Sequence, residues 1–128
     1  MYVDSDALLV ALKADDRMRP LAKMVQEAGE DTYTSAFTVA EVEFVFKRLE
    51  ENEKSKDALQ EIRRAFPRLR FVDLTESVIA ESLNLRKAHD LGIFDSIHAA
   101  TALARDGKIA STDHAFDRVV GLTRITQP

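Results

Sequence analysis

The chain has 128 residues, 45% of them hydrophobic and 31% charged, with 18 basic against 22 acidic side chains for a formal net charge of −4. That balance predicts one folded domain over residues 1–128, and it excludes a disordered chain and nucleic-acid binding through bulk positive charge. The absence of cysteine excludes disulfides, thiolate metal sites and cysteine nucleophiles, and with no long apolar run and no leader pattern a cytoplasmic protein without a membrane span is expected.

Met1-Tyr2-Val3 reads as a short buried strand ending at Asp4. Ala7 to Lys13 predicts a helix. Met18 to Ala28 predicts a second, with Pro20 near its start and Gly29 just past its end. Thr32-Tyr33-Thr34 reads as a strand. Thr38, with Glu41 following it, has the pattern of a helix N-cap and capping box, and Val39, Val42, Val45, Phe46 and Leu49 recur at helical spacing. One helix is expected from Ser55 to Phe66, stopped by Pro67, and then a strand from Arg70 to Leu74. Thr75 caps the next helix, which Gly92 ends. Phe94 to Arg105 predicts another, Ile109 to Ser111 a strand, His114 to Val119 a helical turn or two, and Thr123 to Ile125 a last strand. Short strands separated by helices imply an α/β fold whose parallel sheet is covered on both faces.

Most acidic residues sit where solvated charge is ordinary; four do not. Asp4 follows the first strand and Asp113 lies just past the Ile109–Ser111 strand. Ligands of open parallel sheets bind in the crevice outside the carboxyl ends of the strands, so these two aspartates are candidates for one crevice. Asp95 and Glu41 each lie in the first turns of an apolar helix. Each has a plain alternative: Asp95 as a helix cap, Asp113 as a turn residue, Glu41 as half of a capping box. Asp4 lacks one, because a carboxylate closing a buried strand needs a partner. Together the four acids suit hard divalent cations such as Mg²⁺ or Mn²⁺, which prefer oxygen ligands.

In order, VDSDALL, TVAEVEFVF, FDSIHAATAL and STDHAFDRVVGL resemble the acidic motifs of PIN-domain nucleases, most closely the VapC toxins of prokaryotic toxin–antitoxin pairs. The resemblance covers essentially the whole chain. It implies a three-layer α/β/α sandwich around a mostly parallel sheet of four to five short strands. It also implies an endoribonuclease using one or two Mg²⁺ or Mn²⁺ ions, with Asp4, Glu41, Asp95 and Asp113 at the family's four acidic positions. A homodimer and a protein antitoxin that inserts a peptide into the site are implied as partners. The chain departs from the pattern at Ser5-Asp6, where an acid stands in place of a common amide; Asp6 reads as an outer-sphere group. Ala115 stands where many members carry a further acid, and Asp117 reads as a surface charge. Glu41 is favoured over Glu43 from its Ala-Glu-Val context.

His98, three residues after Asp95, reads as a partly buried histidine bonded to backbone or carboxylate in preference to a metal ligand. His114 reads as a turn residue and His89 as a cation at a helix end. Residues 47–70 carry 8 basic and 5 acidic side chains, the one net-positive stretch, and Arg63, Arg64 and Arg68 within it are the candidates for RNA contact. Phe37, Phe44 and Phe46 fit either a partner surface or the core. Two other readings stand beside the nuclease: a non-catalytic PIN-like RNA- or partner-binding module, and a haloacid-dehalogenase-type phosphatase using Asp4 as nucleophile, for which Lys108 is a poor match.

Overall fold

The computed structural model describes residues 1–12 and 19–126. Five strands, β1 (Tyr2–Val3), β2 (Tyr33–Ser35), β3 (Arg70–Val72), β4 (Lys108–Ala110) and β5 (Thr123–Ile125), form one sheet in the order β3-β2-β1-β4-β5. Every pair is parallel, with Tyr2 opposite both Tyr33 and Ile109. The helices are α1 (Ser5–Leu12), α2 (Arg19–Ala28), α3 (Ala36–Arg48), α4 (Asn52–Lys56), α5 (Ala58–Ala65), α6 (Glu76–His89) and α7 (Ile93–Leu103). The expected three-layer sandwich is thus present, with five strands.

Tyr2 and Val3 are both fully buried, as strands covered on two faces require. Their side chains alternate. Val3 and Ala110 join the core that holds Leu8, Val25, Val42, Phe46 and Ile62 from α1, α2, α3 and α5. Tyr2, Tyr33 and Ile109 face the other core, built with Val78, Leu85 and Ala99 from α6 and α7. The chain winds β1-β2-β3 to one side and then crosses to β4 and β5. The switch point therefore lies between the carboxyl ends of β1 and β4, where Asp4 and Ser111 follow their strands.

Several local expectations need correction. The helix expected at Thr38 begins at Ala36, because Ser35 already serves as its cap, accepting from the Phe37 N–H at 3.3 Å. Thr38 is one turn inside and buried, and its hydroxyl faces the hydroxyls of Tyr2 and Thr34, each 3.0 Å away, so no capping box forms with Glu41. The helix expected over 55–66 is two helices, α4 and α5, divided at Asp57. Gly92 does not end α6; Asp90 does so in the left-handed conformation (φ 51°), and Gly92 is the residue that leads into α7. Strand β3 stops at Val72, two residues short of Leu74. Thr75 does cap α6, accepting from the Val78 N–H at 3.2 Å. Gly29 follows α2 at φ 62°, the left-handed position that favours glycine past a helix end. Lys13 and Met18, the outer bounds expected for the first two helices, lie outside the described residues.

Candidate active site

Asp4 continues β1 by one hydrogen bond, its N–H donating to Ala110 O at 3.1 Å, and its carbonyl accepts from Leu8 of α1 at 3.3 Å. The residue is held rigidly and is 4% exposed. Its Oδ1 accepts from the Ser5 N–H at 2.7 Å and its Oδ2 from the Ser111 hydroxyl at 2.8 Å. Burial is the larger force. With the nearby negative charge of Asp6 it pushes the Asp4 carboxyl up to about 7, against the opposing pull of His98 and the two serines.

His98 is the hub of the site. It is fully buried on α7, with Nε2 hydrogen bonded to Glu41 Oε1 of α3 and 3.5 Å from Asp4 Oδ1. Its Nδ1 meets the Tyr2 hydroxyl at 2.5 Å, and the Phe37 ring lies 5.1 Å away, centroid to centroid. Desolvation opposes the imidazolium, but the Tyr2 oxygen, the Glu41 hydrogen bond and the Asp4 charge prevail and raise its pKa to about 10. His98 is bonded to carboxylate, one of the two partners expected for it, but it is fully and not partly buried. The sequence does not reveal that its partners are two of the candidate acids, Asp4 at the end of β1 and Glu41 on α3.

Asp95, half-buried in the first turn of α7, has its pKa raised by desolvation and by the charges of Asp113, Glu41 and Asp6, with His98 opposing. Asp113 lies at the exposed rim, where its Oδ1 accepts from the Ala115 N–H at 2.8 Å and caps a 3-10 turn at His114–Arg118. The turn reading of Asp113 and its approach to Asp95 are therefore both realised, since one oxygen serves the cap. Asp6 begins α1. Its Oδ2 meets the Ser111 hydroxyl at 3.2 Å, the Thr112 N–H at 3.0 Å and the Thr112 hydroxyl, so it pins the loop that carries Asp113. Its Oδ1 is buried and has no hydrogen-bond partner. An orphaned buried acceptor of this kind costs about 1–3 kcal/mol, and more when charged.

Asp4, Glu41, Asp95 and Asp113 thus converge on the carboxyl edge, with Asp6 and His98 among them. Glu41 is engaged by His98 and Asp113 by Ala115, and among the described residues no three ligating side chains are gathered as a ready cage. The donor set nonetheless fits a hard divalent cation. It is all carboxylate oxygen, two of its members are held up in pKa by crowding and burial, and one oxygen lacks any partner.

Other candidates fall away from this cluster. Glu43 is exposed on α3. Asp117 is held below the usual carboxylate range by Arg124, which grips both its oxygens at 2.9 and 3.0 Å and reaches Ser111 O at 3.3 Å. His114 is exposed and sits beside Asp117 and Arg124. Arg64 pairs with Glu61 at 2.8 Å, Arg63 lies over the Phe71 ring, and Arg68 packs along Gly29. Arg68 precedes β3 and so stands toward the amino edge of the sheet, away from the carboxylates. Phe46 is a fully buried core residue. Phe37 and the exposed Phe44 instead line, with Ala40, Glu41, Val45, Arg48 and Phe94, a groove of about 480 Å³ that adjoins the site.

Solved structures share this architecture. A Rickettsia felis VapBC2 structure, bound to a DNA fragment from its promoter, matches with TM-score 0.70 at 18% identity, covering 97% of this chain and 96% of that one. A toxin–antitoxin complex from Klebsiella pneumoniae matches with TM-score 0.67 at 21% identity, covering 95% and 94%. A Pyrobaculum aerophilum protein matches with TM-score 0.68 at 13% identity, covering 96% and 87%. No curated protein matches by sequence. These likenesses establish the fold, and the PIN domain family model matches residues 1–122, so the chain belongs to the PIN domain family.

Proposed function

We propose that this protein is a metal-dependent endoribonuclease that hydrolyses RNA phosphodiester bonds, acting in the cytoplasm as the toxin of a toxin–antitoxin pair. The observation that carries the proposal is the convergence of Asp4, Glu41, Asp95 and Asp113 beside the β1–β4 switch point, with Asp4 and Asp95 held up in pKa. Titratable groups perturbed in this way in a crevice mark functional sites. Membership of the PIN domain family supports nuclease chemistry, and the likeness to the two toxin–antitoxin structures supports the toxin role.

Asp4, Asp95 and Asp113 would hold Mg²⁺ or Mn²⁺, as one or two ions. When bound, the cation supplies charge stabilisation at the attacking and leaving oxygens of the phosphodiester. The chain's own groups do the positioning. Ser5 N–H and the Ser111 hydroxyl fix the two oxygens of Asp4. His98, as the imidazolium, holds Glu41 Oε1, which leaves Glu41 Oε2 to ligate the cation or to orient water. No covalent intermediate is required. The apolar groove at Phe37, Phe44 and Phe94 supplies contact area for an antitoxin or for the second subunit of a homodimer, and Arg63, Arg64 and Arg68 are assigned to more distant phosphates of the RNA.

The test is cleavage of single-stranded RNA with Mg²⁺ or Mn²⁺. Wild type is expected to cut, Asp4→Asn and Asp95→Asn to lose more than about a hundredfold while keeping the wild-type circular dichroism, and Glu41→Gln to lose far more than Glu43→Gln. Binding of RNA without cleavage in either metal would make this a non-catalytic PIN module. A trapped phospho-aspartate at Asp4 would favour the phosphatase chemistry instead.

A further inference from the structure

We infer that Asp6 is a fifth carboxylate of the metal site, presenting Oδ1 directly to the divalent cation. The inference rests on the metal reading proposed above. The two oxygens of Asp6 are used unequally. Oδ2 accepts from the Thr112 N–H at 3.0 Å and from the Thr112 hydroxyl, with the Ser111 hydroxyl shared with Asp4 3.2 Å away. Oδ1 is buried and has none.

Among the described residues, the protein offers this oxygen no substitute. The Ser111 hydroxyl has one proton to give, and it stands closer to Asp4 Oδ2, at 2.8 Å. Arg124 feels the charge of Asp6, but its guanidinium is engaged by Asp117 and by Ser111 O. The negative charge of Asp6 is felt at Asp4 and at Asp95, which places the orphaned oxygen's carboxylate within the acid cluster. Loop pinning alone requires one oxygen, and an amide would supply it. What a carboxylate adds is a second anionic oxygen, and a hard cation is the partner that such an oxygen selects.

Asp6→Asn separates the two roles. Its amide oxygen can still accept from Thr112, while its NH₂ takes the place of Oδ1 and cannot ligate a cation. Thr112→Val does the reverse, weakening the pin while leaving the carboxylate. Mn²⁺ is titrated calorimetrically into wild type, Asp6→Asn and Thr112→Val, with thermal melts in chelator as the check on folding. Asp6→Asn is expected to weaken Mn²⁺ binding at least about tenfold and to melt in chelator no lower than wild type, while Thr112→Val stays within about twofold in affinity. Asp6→Ser, which also lacks the carboxylate, is judged by the same loss of affinity should Asp6→Asn not fold. Wild-type affinity in the Asp6 variants would overturn the inference and leave Asp6 as a loop pin. An equal loss in Thr112→Val would overturn it too, since Asp6 would then act through the loop. Absence of Mn²⁺ binding by wild type would instead overturn the metal reading itself, and this inference with it.

Discussion

Asp4 and Asp106 stand at opposite ends of the same parallel sheet, and the chain treats them in opposite ways. At the amino edge, Asp106 takes the amine of Met1, the Tyr33 hydroxyl at 2.7 Å and the Lys108 N–H at 3.2 Å. These donors outweigh its modest burial and hold its carboxyl below the usual range. At the carboxyl edge, Asp4 is far more deeply buried, has other acids for neighbours, and is pushed up to about 7. One carboxylate stabilises the fold that surrounds it; the other is held at the fold's expense. A carboxylate retained where its charge is disfavoured is best explained by a ligand that the charge serves.

The largest expected effect breaks this asymmetry with metal. In chelator, Asp95→Asn should be as stable as wild type or more so, because it removes a repelling charge, and α7 starts from Gly92 with no side-chain cap for the substitution to remove. With Mn²⁺, wild type should regain the advantage through mass action, alongside the activity loss of more than about a hundredfold given above. Parallel melting curves with and without Mn²⁺ would remove Asp95 from the site.

Next comes pH, where the two edges carry opposite signs. Native Asp4 keeps its proton to about 7, whereas the unfolded chain releases it near 3.8, so its contribution falls as pH rises through that window. His98 acts in the same direction. Its stabilisation is complete below the unfolded value of 6.5 and is lost as pH rises through about 10. Asp106, with its pKa lowered, contributes above 3.8 and loses its contribution as pH falls further. Melting temperatures measured in chelator should therefore decline on both sides of a maximum near pH 4, and Asp4→Asn should flatten the alkaline side between about 4 and 7. A maximum above pH 8 would contradict the burial-dominated account of Asp4.

A smaller effect tests the amino edge by itself. Asp106→Asn should cost about 1 kcal/mol, discounted for solvent screening of this partly exposed ion pair, and should leave Mn²⁺ affinity unchanged. Denaturant unfolding with a parallel calorimetric titration checks both, and a change in affinity would mean that the two ends are coupled. The smallest effect is electrostatic. Replacing Arg63, Arg64 and Arg68 by Gln should lower the log–log salt slope of RNA binding by roughly 0.7 for each lost phosphate contact. An unchanged slope would move the RNA path elsewhere on the surface.

The helices that carry strong periodicity or a clear cap were legible in the sequence: α6 behind Thr75, α7 around Asp95, α2 between Pro20 and Gly29. So was strand β5, which spans Thr123–Ile125 as expected. The acids following β1 and β4 were legible because a strand end is a local feature, and a parallel sheet brings strand ends to one edge. The start of α3 was missed because Ser35 and Thr38 are both good caps, and the choice depended on Tyr2. That side chain, distant in sequence, takes up the Thr38 hydroxyl in the core. Asp6 was read as peripheral because its partners, Ser111 and Thr112, are more than a hundred residues away.

The sequence by itself determined the α/β class, the order of elements and the four acids that define the family resemblance. Those follow from residue periodicity and from chemistry at strand ends, which neighbouring residues dictate. The tertiary structure decided how the acids are held: His98 bridging toward Glu41 and Asp4, Asp6 with one oxygen bound to the loop and one left free, and Arg68 far from the cleft. Hydrogen bonds and desolvation act over a few ångströms of space regardless of separation along the chain. Which carboxylate oxygen is satisfied and which is left without a donor is therefore settled only when the strands are side by side.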